Sequence, residues 1–415
     1  MLIGSRPCSD RLRQARTFSL AMDLVISHDF FPQIGGAHYW LYEVYRGWPS
    51  RASLLTTDYG YHPRLAQEQR DFDDSNHGAL NIVRSLDPFE EINLFSLRCL
   101  RQFHEQVKTI DRVVGSGDAV LHCLRAFPEG FLGLLFKMRY PGRSCLVTYA
   151  HGEEILIAQT SRQLKVMAKQ VYTRSDLIIA NSENTRRLVL ELCPKAYVVC
   201  IHPGVNAAGF SPPEEDLRAY RSQWGWPAET VVLSTMARME PRKNHAVVIK
   251  ALGELRREGL PVGYVCGGDG QERRRLTALV NDLHLQDWVR LPGAVSDEEK
   301  KLIYGASHIY AMPSIQVGEM IEGFGIVFLE ASAAGIPSIC GNSGGQSEAV
   351  IHGKTGFVVD GASLSDVHQA ISNLVQDGEL RALMGREGKR WAAEHDWTMV
   401  VERTRTAIDG ALRGR

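Results

Sequence analysis

Two carboxylates, Glu322 and Glu330, flank a glycine-containing turn in the run EGFGIVFLE. If a helix starts near Gly325, Glu330 lies about five residues in, roughly 7.5 Å along the axis at 1.5 Å per residue. That spacing matches the distance from the diphosphate to the ribose of a nucleotide. The free amides of residues 325–327 and the positive end of the helix dipole would hold the diphosphate. Glu330 would then reach ribose hydroxyls, and Glu322 would face a sugar. A glycine-capped turn followed by a helix with one Glu on its polar face is the plainer alternative.

Other positions favour the chemical reading. An apolar run at 231–236 is followed by RMEPRKNH, which places several cations, Arg238 and Lys243 among them, just past a strand end. A departing diphosphate gains negative charge as its bond to the sugar breaks, so fixed cations stabilise the transition state more than the ground state. An ordinary solvated helix start would carry the same residues. CGGDG at 266–270 follows the next apolar run, and Gly268 there would let backbone approach a base or phosphate. Gly35 and Gly36 follow the first run and precede a helix, which suits a phosphate or an acceptor as well as a tight turn. His151, in YAHGEE, ends another run, the place where cleft residues of parallel sheets sit. No HExxH spacing occurs among the 14 histidines. Asp71 and Asp73 fall in the polar stretch DFDDSN, read as a loop, so no metal site is expected.

The elements that must position these residues are short runs rich in Val, Ile and Leu between longer amphipathic stretches, the pattern of parallel strands with helical crossovers. Strands are predicted at 24–27, 53–56, 119–122, 145–150, 177–180 and 198–201, then at 231–236, 262–266, 289–291, 309–312, 338–340 and 356–358. The fold class is therefore α/β, with two Rossmann-like doubly wound domains facing across a cleft. Residues 22–203 would form the first and 216–385 the second, joined by a Pro- and Gly-rich hinge at 204–215. Residues 386–415 are predicted to form one amphipathic helix, carrying Trp391 and Trp397, that packs back toward the first domain. Residues 1–21 read as a disordered tail or a misassigned start.

Length and composition agree. A chain of 415 residues exceeds what one core supports, so two domains of roughly 200 residues are natural. With 44% apolar and 23% charged residues the chain can bury ordinary cores. A net charge of −1 argues against general nucleic-acid binding. Basic residues outnumber acidic ones 24 to 21 over residues 1–200 and trail them 23 to 27 over 201–415. That small asymmetry suits an N-terminal half meeting acidic lipid or a phosphorylated acceptor, and solvated surface arginines would produce it too. The eight cysteines show no CxxC pairing and read as free thiols of a reducing cytoplasm. No window approaches the roughly 18 consecutive apolar residues of a membrane span.

From about Asp23 to Trp397 the chain resembles glycosyltransferase family 4, the retaining enzymes of GT-B architecture. The resemblance rests on Gly35-Gly36, ANSENTR from Ala180, the linker from Gly204 to Pro212, Arg238 with Lys243, and the spaced Glu pair. It implies that Glu322 contacts the donor sugar, and that Gly323, Phe324, Gly325 and Ile326 line the donor and present backbone amides. It also implies that Glu330 holds the ribose and that His151 lies by the transferred sugar. The run from Glu322 to Val350 is similar to GDP-mannose-dependent mannosyltransferases acting on inositol lipids or oligosaccharide carriers. The expected reaction moves a hexose from a nucleotide diphosphate sugar to a hydroxyl of a glycan or lipid-linked acceptor, with retention and without cofactor or metal. Peripheral membrane contact through the N-terminal domain fits such an acceptor. A UDP-glucose or UDP-N-acetylglucosamine donor, an epimerase and a non-catalytic sugar-nucleotide-binding subunit are the alternatives. His151 precedes Gly-Glu rather than the Asp often found nearby in the family.

Overall fold

A computed structural model describes residues 21–413, apart from 33, 34, 49, 51, 61, 63 and 64. The expected tail therefore lies outside the described residues except for Ala21, as does the middle of the loop before Gly35.

The first half builds a seven-stranded parallel sheet from β1 (Met22–Ser27), β2 (Ser53–Thr57), β3 (Asn81–Leu86), β4 (Ala119–Cys123), β5 (Ser144–Ala150), β6 (Leu177–Ala180) and β7 (Val198–Cys200). Their spatial order is β3-β2-β1-β4-β5-β6-β7. The second half builds a six-stranded parallel sheet from β8 (Val231–Met236), β9 (Val262–Gly267), β10 (Val289–Gly293), β11 (Ile309–Met312), β12 (Ser338–Gly341) and β13 (Gly356–Val359). Its order is β10-β9-β8-β11-β12-β13. Both are doubly wound, so each has a point where the winding reverses beside its first strand.

Alternation explains why these runs are rich in apolar residues at consecutive positions. Leu24 and Ile26 of β1 enter the core on one face of the first sheet, and Val25 enters the core on the other. Leu233 and Val232 of β8 divide in the same way. Helices cover both faces of each sheet, so the central strands leave few positions from which a polar residue could reach water.

Three expectations need correction. β3 was not anticipated: its sequence NIVRSL is half polar, with Asn81, Arg84 and Ser85, and it lies at the edge of the sheet with only Leu86 buried. Asp71 and Asp73 sit on the helix Leu65–Asn76 rather than in a loop, and Asp73 takes both 2.7 Å hydrogen bonds from the Arg84 guanidinium of β3. Trp391 and Trp397 belong to two helices, Gly378–Ala393 and Trp397–Arg413. The first packs on the second half, against the helix Ile326–Ala334. The second packs on the first half, where Trp397, Val400 and Ile408 join Trp40, Leu41 and Val44.

Candidate active site

Every chemically suggestive segment emerges from the carboxyl end of a strand. Gly35 caps the helix Gly36–Arg46 after β1, Arg125 follows β4, His151 follows β5 and Asn181 follows β6. From the other sheet, Arg238 and Arg242 follow β8, and the stretch from Ile321 to Ile326 follows β11. These two edges face each other and enclose a cavity of about 320 Å³. Of the residues singled out in the sequence, Gly35, Gly36, His151, Arg238, Glu322, Gly323, Phe324, Gly325 and Ile326 line it.

The turn behind the Glu pair has the conformation its glycines demand. Gly325 is left-handed, with φ of 87°, and caps the helix Ile326–Ala334 with no side chain bonded to that end. Its first amides have no intrahelical partner and remain donors at the cavity wall. Gly323 is required by close approach across the two halves, since a Cβ there would lie 2.5 Å from the His151 carbonyl oxygen and 2.6 Å from Asn181 Nδ2.

Glu322 is buried and serves the cations. Its Oε2 accepts from Arg242 Nη1 at 3.0 Å and from the Lys243 ammonium. Burial alone would raise its carboxyl, but Lys243 and Arg242 outweigh burial and hold it below the usual range, so it stays ionised. Lys243 stands behind Arg242 rather than in the cavity wall. Arg238, mostly exposed, pairs with Glu240 at 3.1 Å. Arg242 also bonds Glu240, at 3.1 Å, so the cleft holds two arginines spaced by one shared carboxylate.

Besides Lys243, two of the residues singled out in the sequence lie outside that wall. Glu330 is the fifth residue of its helix, but its oxygens hold Lys300 at 3.0 Å and the Tyr304 hydroxyl at 2.9 Å. It lies outside the cavity that the glycine turn lines. Lys300 faces a second cavity between the halves, about 450 Å³, bounded by Tyr39, Tyr42, Phe210 and Asp297. Gly268 lines neither cavity, and with φ of 129° and a hypothetical Cβ 2.0 Å from the Ala237 carbonyl it is explained by contact between the β8 and β9 loops.

On the opposite wall, His151 donates from Nε2 to the Leu124 carbonyl at 2.8 Å, leaving Nδ1 an acceptor. Burial, with the Arg125 charge adding to it against the Leu124 bond, lowers the imidazole to about 4, so it is neutral near pH 7. Trp40 packs its ring edge-on to His151, with centroids 5.6 Å apart. A Cβ on Gly36 would meet nothing within 4 Å, so the amino end of its helix borders open space.

Sequence reasoning passed over Arg242, Arg125, Trp40 and Asn181, all in the cavity wall. It also passed over Glu348. From the loop after β12, Glu348 accepts from the Glu183 amide at 2.7 Å and the Asn184 amide at 2.9 Å, capping a first-half helix. His202, two residues before the hinge, bonds the same carboxylate at 3.0 Å and stacks on Phe324, with centroids 4.9 Å apart. The only signal was a serine cap in ANSENTR, and nothing local shows that a second carboxylate arrives from residue 348.

Comparison with known proteins agrees with this geometry. The family described as "Glycosyl transferases group 1" matches residues 216–391. A GDP-mannose-dependent alpha-(1-6)-phosphatidylinositol monomannoside mannosyltransferase of Mycolicibacterium smegmatis is 27% identical over 402 residues, covering 94% of this chain and 99% of the relative. The protein of the same description from Mycobacterium tuberculosis is 31% identical over 278 residues, covering 66% and 72%. Among solved structures, Anabaena HepE in complex with UDP and glucose superimposes with a TM-score of 0.76 at 20% identity, covering 94% of this chain and 99% of that one. A two-domain fold, a cleft between facing strand ends and relatives matched over most of their length lead to one conclusion: the chain belongs to the group 1 glycosyl transferases and is a glycosyltransferase.

Proposed function

We propose that the chain transfers mannose from GDP-mannose to a hydroxyl of a glycan or lipid-linked acceptor, with retention of anomeric configuration, and that its first half meets the membrane peripherally. The observation that carries this reading is the convergence of the uncapped helix end at Gly325 with Arg238 and Arg242 in one cleft. Support for the donor comes from the relatives matched over most of their length, whose descriptions specify GDP-mannose.

In this reading the diphosphate lies over the amides of the Gly325 turn and its ribose points toward Lys300 and Glu330. As the glycosidic bond lengthens, the leaving diphosphate gains charge beside Arg238 and Arg242, which are held by Glu240 and Glu322. The acceptor hydroxyl enters from the wall of His151 and Gly36 and attacks the face the diphosphate leaves. Its proton passes to the departing phosphate oxygen, so no protein nucleophile is needed. Neutral His151, its tautomer fixed by the Leu124 carbonyl, accepts a sugar hydroxyl at Nδ1. The arginines supply the charge that a divalent cation supplies elsewhere, and the reaction proceeds without one.

Incubation of GDP-mannose, UDP-glucose or UDP-N-acetylglucosamine with a panel of glycan and inositol-lipid acceptors, with and without EDTA, tests this, with the product anomer read by NMR. Turnover of GDP-mannose to an α-linked product, unaffected by EDTA, is expected. Preference for a UDP-sugar, an inverted product or loss of turnover in EDTA would each refute the corresponding element.

A further inference from the structure

The two most exposed large apolar side chains of the described residues, Phe95 and Leu97, stand two residues apart on the first half. Phe95 is 86% exposed and Leu97 81%, and Leu100, one turn on, is 44% exposed. They open the helix Leu97–Val114, whose cap is Ser96. A hydrophobic residue just before a helix cap ordinarily packs on the residue four positions into the helix, covering both. Here that pair is Phe95 and Leu100, and both stay exposed. Asn93 holds the turn through the Phe95 amide at 3.0 Å, so Phe95 projects from an ordered segment.

A second feature adjoins the first. The Leu94 amide donates to Gln163 Oε1 at 2.9 Å, tying this segment to the first turn of the helix Arg162–Arg174. That helix, RQLKVMAKQVYTR, contains four basic residues and no acidic one. Arg162, Lys165 and Lys169 are exposed, with Val166 among them 51% exposed. Among the described residues none of these three cations is in an ion pair. Nearby carboxylates are partly engaged, with Glu90 3.3 Å from Arg98 and Glu105 3.0 Å from Lys108. One residue, Ser161, separates this helix from Glu153–Thr160, whose Ile157 lines the active-site cavity.

We propose that Phe95, Leu97 and Leu100 form a wedge that inserts into an anionic phospholipid surface, with Arg162, Lys165 and Lys169 seated on its phosphates. The proposal deepens the peripheral contact read above by assigning its surface and lipid charge. Apolar side chains beside an acid-free basic helix face are what a negatively charged interface recognises. A partner protein would bury the wedge without needing three unpaired cations beside it. Docked in this way, the helix that bears Ile157 stands next to the bilayer, and a lipid-linked acceptor reaches the cavity by moving along one helix.

Co-sedimentation of the full chain with phosphatidylcholine vesicles, with and without phosphatidylglycerol, tests the assignment independently of catalysis. Binding is expected only with phosphatidylglycerol and is expected to weaken with salt. The double substitution Phe95→Ser/Leu97→Ser should lower binding about tenfold. Lys165→Ala and Lys169→Ala should each lower it about fivefold. None of these positions touches the cavity, so donor hydrolysis should be unchanged, which also reports folding. Absence of binding, binding that ignores either set of substitutions, or a chain dimer dissolved by Phe95→Ser/Leu97→Ser without vesicle binding would overturn it. Failure of GDP-mannose turnover would count against the donor and leave this readout intact.

Discussion

Arg242 Nη1 lies 3.0 Å from Glu322 Oε2, so the carboxylate before the glycine turn anchors a cation from the neighbouring β8 loop on the same side of the cleft. Arg242 and Glu322 are nearly fully buried, and a charge stripped of its partner there is costly. Arg242→Ala should lower kcat/KM about 10²- to 10³-fold, mostly in kcat if the charge acts on the leaving diphosphate. Steady-state kinetics, with a thermal melt to confirm folding, would check it. A change in KM alone would place Arg242 in ground-state binding.

Gly323 sits where the two halves touch. A Cβ at that position would meet the His151 carbonyl and Asn181 Nδ2 inside 3.0 Å, and the carbonyl is backbone that cannot swing aside. Gly323→Ala should hold the cleft open, lowering turnover by about two orders of magnitude while each half keeps its own fold. Small-angle scattering should show a larger radius of gyration. An unchanged radius with full activity would contradict the account.

Glu348 latches the halves through the amides of Glu183 and Asn184 and through His202. Burial would raise its carboxyl, but His202 and those amides outweigh burial and lower it, so the latch holds at neutral pH. Glu348→Ala removes an acceptor from two helix-end amides, and should raise donor KM and lower kcat together, about tenfold in kcat/KM. Hydrogen exchange should quicken at residues 183–185. Protection equal to the parent chain would argue that the latch is incidental.

The parts visible in the sequence were those whose information is local. Twelve strands announced themselves because burial on both faces puts consecutive apolar residues, LVI in β1 and VVL in β8, where a half-exposed strand would alternate. β3 escaped because an edge strand with Arg84 inside it lacks that signal. The turn between Glu322 and Ile326 was legible from its glycines. The inward direction of Arg242 was not, since three cations within six residues look alike until the turn Pro241–Lys243 aims them. Trp40, Arg125 and Asn181 arrive from separate strand ends, and Glu348 from the other sheet, so their meeting is a property of topology.

His308 offers a pH test away from the cavity. Its Nδ1 accepts from the Val232 amide at 3.0 Å, and burial, joined by the charges of Arg221 and Arg381, lowers it to about 4. The unfolded chain takes up a proton at about pH 6.5 that the folded chain refuses. Its contribution is therefore full above that pH and is lost as pH falls toward 4. His38, His151 and His245, each also lowered to about 4, act in the same direction. Glu153 and Glu154, raised by burial, act in the opposite one. The difference made by one residue is thus the clean readout. Near pH 5.5, His308→Gln should flatten unfolding free energy against pH by about 1.4 kcal/mol per unit. Parallel curves would contradict the assignment.

The central claim is that the helix end at Gly325, with Arg238 and Arg242, binds the donor diphosphate. Calorimetric titration of GDP, UDP and mannose 1-phosphate into the parent chain, Arg238→Ala and Arg242→Ala measures it most directly. The account predicts that GDP binds tightest to the parent chain and at least about tenfold more weakly to each variant. GDP affinity unchanged in both variants would place the diphosphate somewhere other than this cleft.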